Sequence, residues 1–455
     1  MEMILEFLRD ILSQPALLIG IMSCVGLIAL KRPFHKIMTG TLKPILGYLM
    51  LAAGAGVIVS NLDPLGKMIE HGFHITGVVP NNEAIVAVAQ KVLGVETMSI
   101  LVVGLLMNLL IARFTKFKYV FLTGHHSLFM ACLMSAVLGT AGLSGIELIL
   151  VGGFLMGAWS AISPAIGQSY TSKVTDGDEI ALGHFGSLGY YLSAWVAKYV
   201  GKAEESTEDI EIPEKWGFLR DSTLSTALTM IVFYLIAAIA AGSEFVSTLS
   251  GSMSPYLFAV MSAMNFAVGV AIVYSGVRMI LGDLIPAFQG IATKIIPNAI
   301  PAVDCAVFFT YAPTAVVLGF ISSFIGGIIG MLILGAVGGV LIIPGLVPHF
   351  FCGATAGIYG NATGGRRGAA VGAFLNGLAI TFLPALALPV LGQLGFQNTT
   401  FGDADFAVMG LVLGNAFEWI GMAGIYGVVV IAALVLIIPN FIKTKGKVIN
   451  YVEEE

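Results

Sequence analysis

Residues 300–320, IPAVDCAVFFTYAPTAVVLGF, set a single carboxylate, Asp304, in a run otherwise suited to lipid or to the interior of a membrane protein. An ionisable group at membrane depth costs several kcal/mol, so it faces a water-filled cavity or a polar partner and marks a substrate or ion path. Proline stands on both sides, at Pro297 and Pro301 before it and at Pro313 after it. The backbone around Asp304 is therefore expected to be broken, with free amides and carbonyls beside the carboxylate. The stretch predicts an all-α, polytopic membrane protein with a transport site at a broken helix. From the residues alone three roles for Asp304 stay open: a substrate ligand, a proton-binding group if burial raises its pKa, and an ion-pair partner of Arg278 or Lys294 in the preceding segment.

Composition agrees with that setting. Of 455 residues, 57% are hydrophobic and only 11% are charged, and the mean hydropathy is +0.93. Soluble chains carry roughly 25% charged residues, so the surplus apolar surface needs lipid. A net charge of −5 without a clustered basic face argues against nucleic acid as a partner. Cys24, Cys132, Cys305 and Cys352 lie singly in apolar surroundings without CxxC spacing, which predicts neither a disulfide framework nor a zinc site. Glu2, Glu6, Arg9 and Asp10 precede the first apolar run, with no basic start and no small-residue cleavage site, so that run is expected to stay as a membrane helix. No GxxxxGK[ST] loop and no HExxH motif is present, and no soluble stretch is long enough to hold ATP. Energy is expected from an ion gradient or a partner protein, with no cofactor and no metal.

A membrane span needs about 20 mainly apolar residues. By that measure about eleven spans are predicted, at 11–30, 44–62, 97–113, 118–140, 146–164, 222–242, 256–281, 313–336, 339–360, 369–392 and 421–440. With the N-terminus outside, the inward loops hold Lys31, Arg32, Lys36 and Lys43, then Arg113, Lys116 and Lys118, then Lys173, Lys198, Lys202, Lys215 and Arg220. Arg278, Lys294, Arg366, Arg367, Lys443, Lys445 and Lys447 follow on the same side, leaving only Arg9, Lys67 and Lys91 outside. That asymmetry predicts an outward N-terminus and a cytoplasmic C-terminus. Segments 67–94, 177–202 and 283–301 are apolar but interrupted by Gly, Pro, Gln and Lys, and are expected as amphipathic or re-entrant pieces lining a cavity. The hydrophilic insert 203–221 divides a five-helix half, about 1–202, from a six-helix half, about 222–455, of a single domain spanning 1–455.

Several polar groups stand out against this background. LTGHHSLFM supplies His125, His126, Ser127 and Phe129 at a helix start, and EIALGHFGS supplies His184 and Phe185 after the acidic run Asp176, Asp178 and Glu179. Imidazoles donate and accept hydrogen bonds; helix capping by His125 and a loop histidine–carboxylate pair at His184 are the structural alternatives. PNNEAIVAVAQ supplies Pro80, Asn81, Asn82 and Glu83, where the asparagines either cap a helix or contact a ligand. Glu418 is a second acid in an apolar run, placed near a helix end from which it snorkels to water. His349 and Asn361, among many glycines, fit close helix packing or a re-entrant loop.

The strings LTGHH, SYTSKVTDGDEIALGHFGS, AVDCAVFFTYAPTAVVLGF and IIPGLVPHFF, in that order and over nearly the whole chain, resemble the ascorbate-type EIIC membrane component of the bacterial phosphotransferase system. The resemblance implies a homodimer in the bacterial inner membrane, with eleven helices divided between a V-shaped dimerisation part and a substrate-binding core that moves against it. It implies cytoplasmic EIIA and EIIB partners, EIIB carrying the phosphocysteine that phosphorylates the bound substrate, so that this chain supplies no phosphoryl carrier and no catalytic residue of its own. By the same resemblance, substrate is contacted by His125, His184 and Asp304, with a further ligand region near Pro80 to Glu83. Ascorbate carriers have glutamine four positions after the TGH histidine and directly after the GH histidine; here those places hold Phe129 and Phe185. The expected substrate therefore widens from ascorbate to a related sugar acid or polyol stacked on aromatic rings. Asp304 is expected to orient or deprotonate the accepting hydroxyl, helped by His184. The competing expectation is a proton- or sodium-coupled secondary transporter of a small polar solute with Asp304 as its coupling site. Besides membrane lipid, that transporter needs no partner.

Overall fold

The computed structural model describes residues 11, 14–74, 77–80, 82–177, 179–210, 222–392 and 399–441. In chain order these form α1 (Pro15–Ala29), α2 (Phe34–Gly72), β1 (Val79–Pro80), α3 (Asn82–Phe114), β2 (Tyr119–Phe121), α4 (Gly124–Thr140), α5 (Gly145–Thr175), β3 (Ala181–Leu182) and α6 (Ser187–Val200). The second half contributes α7 (Ser222–Ala241), α8 (Ser243–Ser250), α9 (Pro255–Lys294), β4 (Ile300–Val303), a 3-10 helix (Cys305–Thr310), α10 (Pro313–Ala336), α11 (Leu346–Gly392), β5 (Thr399–Thr400), α12 (Ala404–Ile420) and α13 (Met422–Phe441). Helix dominates because an apolar chain in lipid must satisfy its backbone within the segment.

Among the described residues seven helices are long and apolar enough to cross a membrane. Thr226–Ala241 with Ser243–Ser250, bent by 117°, makes an eighth if taken as one span. The sequence tally of about eleven differs for identifiable reasons. The expected span 369–392 and residues 346–360 of the span 339–360 fall on the two arms of α11, which is broken at Gly364 and Gly365 and counts there as one helix. The spans expected at 11–30 and 118–140 fall on helices of 15 and 17 residues. At the second of these, α4 begins only at Gly124 because residues 119–121 are spent on a strand. Helix α12 is not among the expected spans; it has 17 residues and opens on Asp403 and Asp405.

Two helix groups emerge from the packing. One holds α1, α2, α7, α8 and α9; the other holds α3 to α6 with α10 to α13. Within the first, α2 and α9 meet through glycines seven residues apart on each. A methyl group on Gly47 would lie 2.8 Å from the Gly276 carbonyl, and one on Gly54 would lie 2.7 Å from that of Gly269. The register is antiparallel, and the missing side chains are what let the backbones approach.

Within the second group, α11 is broken at Gly364 and Gly365, the latter at φ 58° and ψ −155°. A methyl group on Gly360 would sit 2.4 Å from the Gly368 carbonyl. Eight residues along a straight helix are about 12 Å apart, so the chain has doubled back into a helical hairpin. The tip of that hairpin receives the insert. Arg366 N donates to Glu205 O at 2.8 Å, and Thr207 N donates to Asn361 Oδ1 at 2.8 Å. Glu208 accepts from Thr314 N and Ala315 N at 3.1 and 3.0 Å, capping the positive end of α10. Residues 203–210 are thus a docked strap and not a free hydrophilic loop; residues 211–221 lie outside the described ones.

The expected amphipathic or re-entrant segments are corrected in one respect: each delivers a short strand. Residues 67–94 hold the end of α2, β1 and the start of α3; residues 177–202 hold β3 and α6; residues 283–301 hold the end of α9 and enter β4. The strands form two small parallel sheets, β2–β4–β3 and β1–β5. Phe121 pairs with Ala302, Leu182 with Val303, and Pro80 with Thr400.

Gly365→Ala is expected to lower the thermal midpoint of the detergent-solubilised protein. Its positive-φ backbone, of a kind essentially reserved for glycine, costs an alanine about 1–3 kcal/mol, and the added methyl would meet Lys202 O and Glu205 O at 2.3 and 2.4 Å. Gly56→Ala, which meets nothing within 4 Å, should leave the midpoint where it is.

Candidate functional site

Each short strand runs directly into a polar residue at the start of a helix, and the carboxyl ends of parallel strands are where α/β proteins also collect their ligands. After β2 come His125 and His126 in the first turn of α4; after β3 comes His184, just before α6; after β4 comes Asp304. The ladder continues past the strands, with Leu122 N donating to Ala302 O at 2.9 Å and Gly183 N to Val303 O at 2.7 Å. Gly183 is required here, since a methyl group on it would lie 2.4 Å from Ala302 O. In the second sheet, β1 leads into Asn82 and β5 into Asp403 and Asp405.

Asp304 is buried and caps the 3-10 helix, its Oδ1 accepting from Ala306 N at 3.0 Å. Its Oδ2 lies 3.4 Å from His125 Nε2, and His125 Nδ1 lies 3.1 Å from Tyr48 Oη on α2. Neither Arg278 nor Lys294 pairs with it among the described residues, so the ion-pair alternative gives way to a histidine contact. Phe185 N donates to His126 Nδ1 at 3.3 Å, and Gly186 N donates to His184 Nδ1 at 3.1 Å. Tyr190 Oη approaches the same His184 nitrogen at 2.9 Å. An amide N–H only donates, so both Nδ1 atoms accept and the neutral rings carry their protons on Nε2. The two rings stand 3.8 Å apart, centre to centre.

Asp403 and Asp405 complete the cluster, and sequence reasoning missed both. Asp403 Oδ2 accepts from Asn82 Nδ2 at 2.5 Å and its Oδ1 from Cys352 Sγ at 3.0 Å; that Oδ1 is 3.8 Å from His184 Nδ1. Asn82 Oδ1 in turn accepts from Gly402 N at 2.9 Å. Asp405 accepts from Ser187 Oγ at 2.7 Å, Leu188 N at 2.9 Å and Trp159 Nε1 at 3.1 Å. It holds the start of α6, and its own N–H donates to Phe185 O at 2.9 Å. The signal was present in FGDADFAVM, where two carboxylates open an apolar run just as Asp304 does.

The other expected site residues divide clearly. His125, His126, His184, Asp304 and Asn82 converge. Phe185 is fully buried, stacked on Phe121 at 4.6 Å and edge-on to Phe406 at 5.7 Å. Phe129 packs against His126 and Phe406, and Phe406 stacks on His126 at 5.6 Å. The two phenylalanines are therefore part of an aromatic wall behind His126. Ser127 Oγ turns back onto Thr123 O at 3.4 Å. Pro80 is buried in the β1–β5 pair. Asn81 and the side chain of Glu83 lie outside the described residues. His349 bonds Ser323 at 2.9 Å between α11 and α10, a packing role. Glu418 is exposed near the end of α12, away from this cluster.

Ligand atoms of His126, His184 and Asp403 lie within 4.8 Å of one another, as do those of His184, Asp304 and Cys305. A cation held through Nε2 would need the ring proton on Nδ1, where an amide N–H already points at each histidine. The arrangement suits instead a compact polar solute, with N–H donors and carboxylate acceptors beside an aromatic wall.

A family model described as EIIC-GAT, PTS system sugar-specific permease component, matches residues 10–405. A curated protein of Mycoplasma pneumoniae, described as an ascorbate-specific PTS system EIIC component, is 26% identical over 417 residues. The match covers 78% of this chain and 62% of that protein, so the chain spans less than two thirds of its relative's length.

Asp405→Ala is expected to unseat α6. The buried Ser187 hydroxyl loses its acceptor at about 1–3 kcal/mol, and the half-buried Leu188 and Trp159 donors lose theirs at less, so the thermal midpoint should fall, and the emission of Trp159 should shift as its indole N–H is released.

Proposed function

This chain belongs to the family of sugar-specific permease components of the phosphotransferase system, and on that premise we propose that it binds and translocates ascorbate or a related sugar acid or polyol for phosphorylation by a cytoplasmic EIIB subunit. The observation that carries the proposal is the meeting of His125, His184 and Asp304 at the ends of three paired strands. The description of the Mycoplasma pneumoniae relative supports the substrate class. Phe129 and Phe185, which belong to an apolar wall, are the reason for extending that class beyond ascorbate.

In this reading substrate hydroxyls accept from the Nε2–H groups of His126 and His184 and donate to Asp304 and Asp403. The phosphoryl group moves from the EIIB cysteine to a substrate oxygen: the S–P bond breaks, sulfur keeps its electron pair as thiolate, and an O–P bond forms. The proton released by that hydroxyl passes to Asp304, with His184 steadying the oxygen. EIIA recharges EIIB. The chain forms one multi-pass domain of a homodimer in the bacterial inner membrane, N-terminus outside and C-terminus cytoplasmic, the insert 203–221 dividing its two halves. Movement of a substrate-binding core against a V-shaped dimerisation part supplies alternating access.

The test is uptake into vesicles of stated orientation with purified EIIA, EIIB and labelled ascorbate. Phosphorylated product inside is expected, and Asp304→Asn should reduce its rate on the order of 100-fold or more. Unmodified solute accumulating on a proton or sodium gradient would replace this reading with secondary transport.

A further inference from the structure

Lined by none of the histidine–aspartate residues, a half-open cavity of about 530 Å³ separates the two helix groups. Its walls are Met22 and Val25 of α1, Leu106 and Leu110 of α3, and Ile291 and Ile295 of α9, with one charged residue among them, Arg113. A dry void of that size forfeits dispersion contacts on every lining atom. Packing has not closed it because α3 belongs to one helix group and α1 and α9 to the other. In a bilayer the natural filler of such a slot is hydrocarbon.

Arg113 decides what kind. It stands in the last turn of α3, exposed, with its guanidinium 5.8 Å from the centre of the Phe114 ring. Among the described residues no carboxylate comes within 4 Å of it. Lys118 Nζ folds onto the same helix end, donating to Ala112 O at 3.0 Å and Arg113 O at 3.4 Å. The other two walls also end in cations, Lys294 in the last turn of α9 and Lys31 and Arg32 just after α1. A general excess of basic residues on one side accounts for the rim. Arg113 belongs to the same excess, and its place in the lining sets a cation at the mouth of the aliphatic slot.

We propose that this slot binds one acyl chain of an anionic phospholipid, whose phosphate is held by Arg113 at the rim. The guanidinium fork matches phosphate geometry, and the neighbouring cations add to the local attraction for an anionic headgroup. Seated there, the chain touches both helix groups, so its occupancy is coupled to any displacement of one against the other.

The full chain, purified and delipidated in detergent, is titrated with dioleoyl phosphatidylglycerol and separately with dioleoyl phosphatidylcholine under native mass spectrometry. A phosphatidylglycerol carrying a photoreactive group at mid-tail maps the contact. Preference for phosphatidylglycerol and crosslinks to residues 106–113 or 291–296 are expected. Arg113→Gln should weaken phosphatidylglycerol by about five-fold, the ratio for about 1 kcal/mol per cation near a membrane surface. Arg113→Lys should restore most of it. Leu110→Trp, which fills the slot, should remove the crosslink while the thermal midpoint is kept. Equal binding of the two lipids, crosslinks elsewhere, or loss of self-association in place of lipid on Leu110→Trp would overturn the proposal, the last by making the slot a contact between copies.

Discussion

Backbone hydrogen bonding decides what non-helical chain can do inside a membrane protein. A peptide that leaves its helix at depth must find another partner for each N–H and C=O, and here it finds other strands. The pairing of β2 and β3 on either side of β4 lets three helices start in the interior while the strand backbones are bonded to one another. Because each strand ends where a helix begins, each junction exposes a helix amino end and a polar side chain at once. The site is therefore a by-product of satisfying the backbone: His125, His184 and Asp304 are adjacent because residues 119–121, 181–182 and 300–303 must be. The second pair, β1 with β5, does the same for Asn82 and Asp403.

Much of this was readable in the chain. Asp304 declares itself by its surroundings, and the TGHH and GHF strings by their glycines and their place at helix starts. The helical class follows from composition. The strands were not readable, for a physical reason: pieces of two to four residues show no periodicity, and their partners lie far off in sequence. The proline and glycine interruptions at 67–94, 177–202 and 283–301 marked where the helices fail without saying what replaces them. Asp403 and Asp405 escaped because the helix they open, at 17 residues, is shorter than a full span, which hid α12 along with the acids. The direction of Phe185 could not be read either, since alternation between backbone donor and buried ring depends on the turn between β3 and α6.

The insert offers a different lesson. Its charge suggested solvent, yet its first residues spend that charge on helix ends: Glu208 on the amides of α10, Glu205 beside Arg366. An acidic run in a loop and an acidic run built to cap a neighbouring helix look alike in sequence. Only the arrival of a second helix start or a hairpin tip distinguishes them. The strap also ties the start of α10, a few residues after Asp304, to the tip of α11, so the second half of the site is braced from outside the sheet.

Tyr48 carries a consequence beyond its single contact. Among the described residues of the α2 bundle it is the one that bonds a side chain of the polar cluster, through His125 Nδ1. That hydroxyl therefore works as a ruler between two bodies. While it spans the gap, one imidazole nitrogen is occupied; a separation of the two helix groups would leave that nitrogen to water or a guest. The donor and acceptor inventory offered to a solute would thus change with any displacement of one group against the other, and a solute that replaces the tyrosine hydroxyl would be sensed as geometry as well as chemistry.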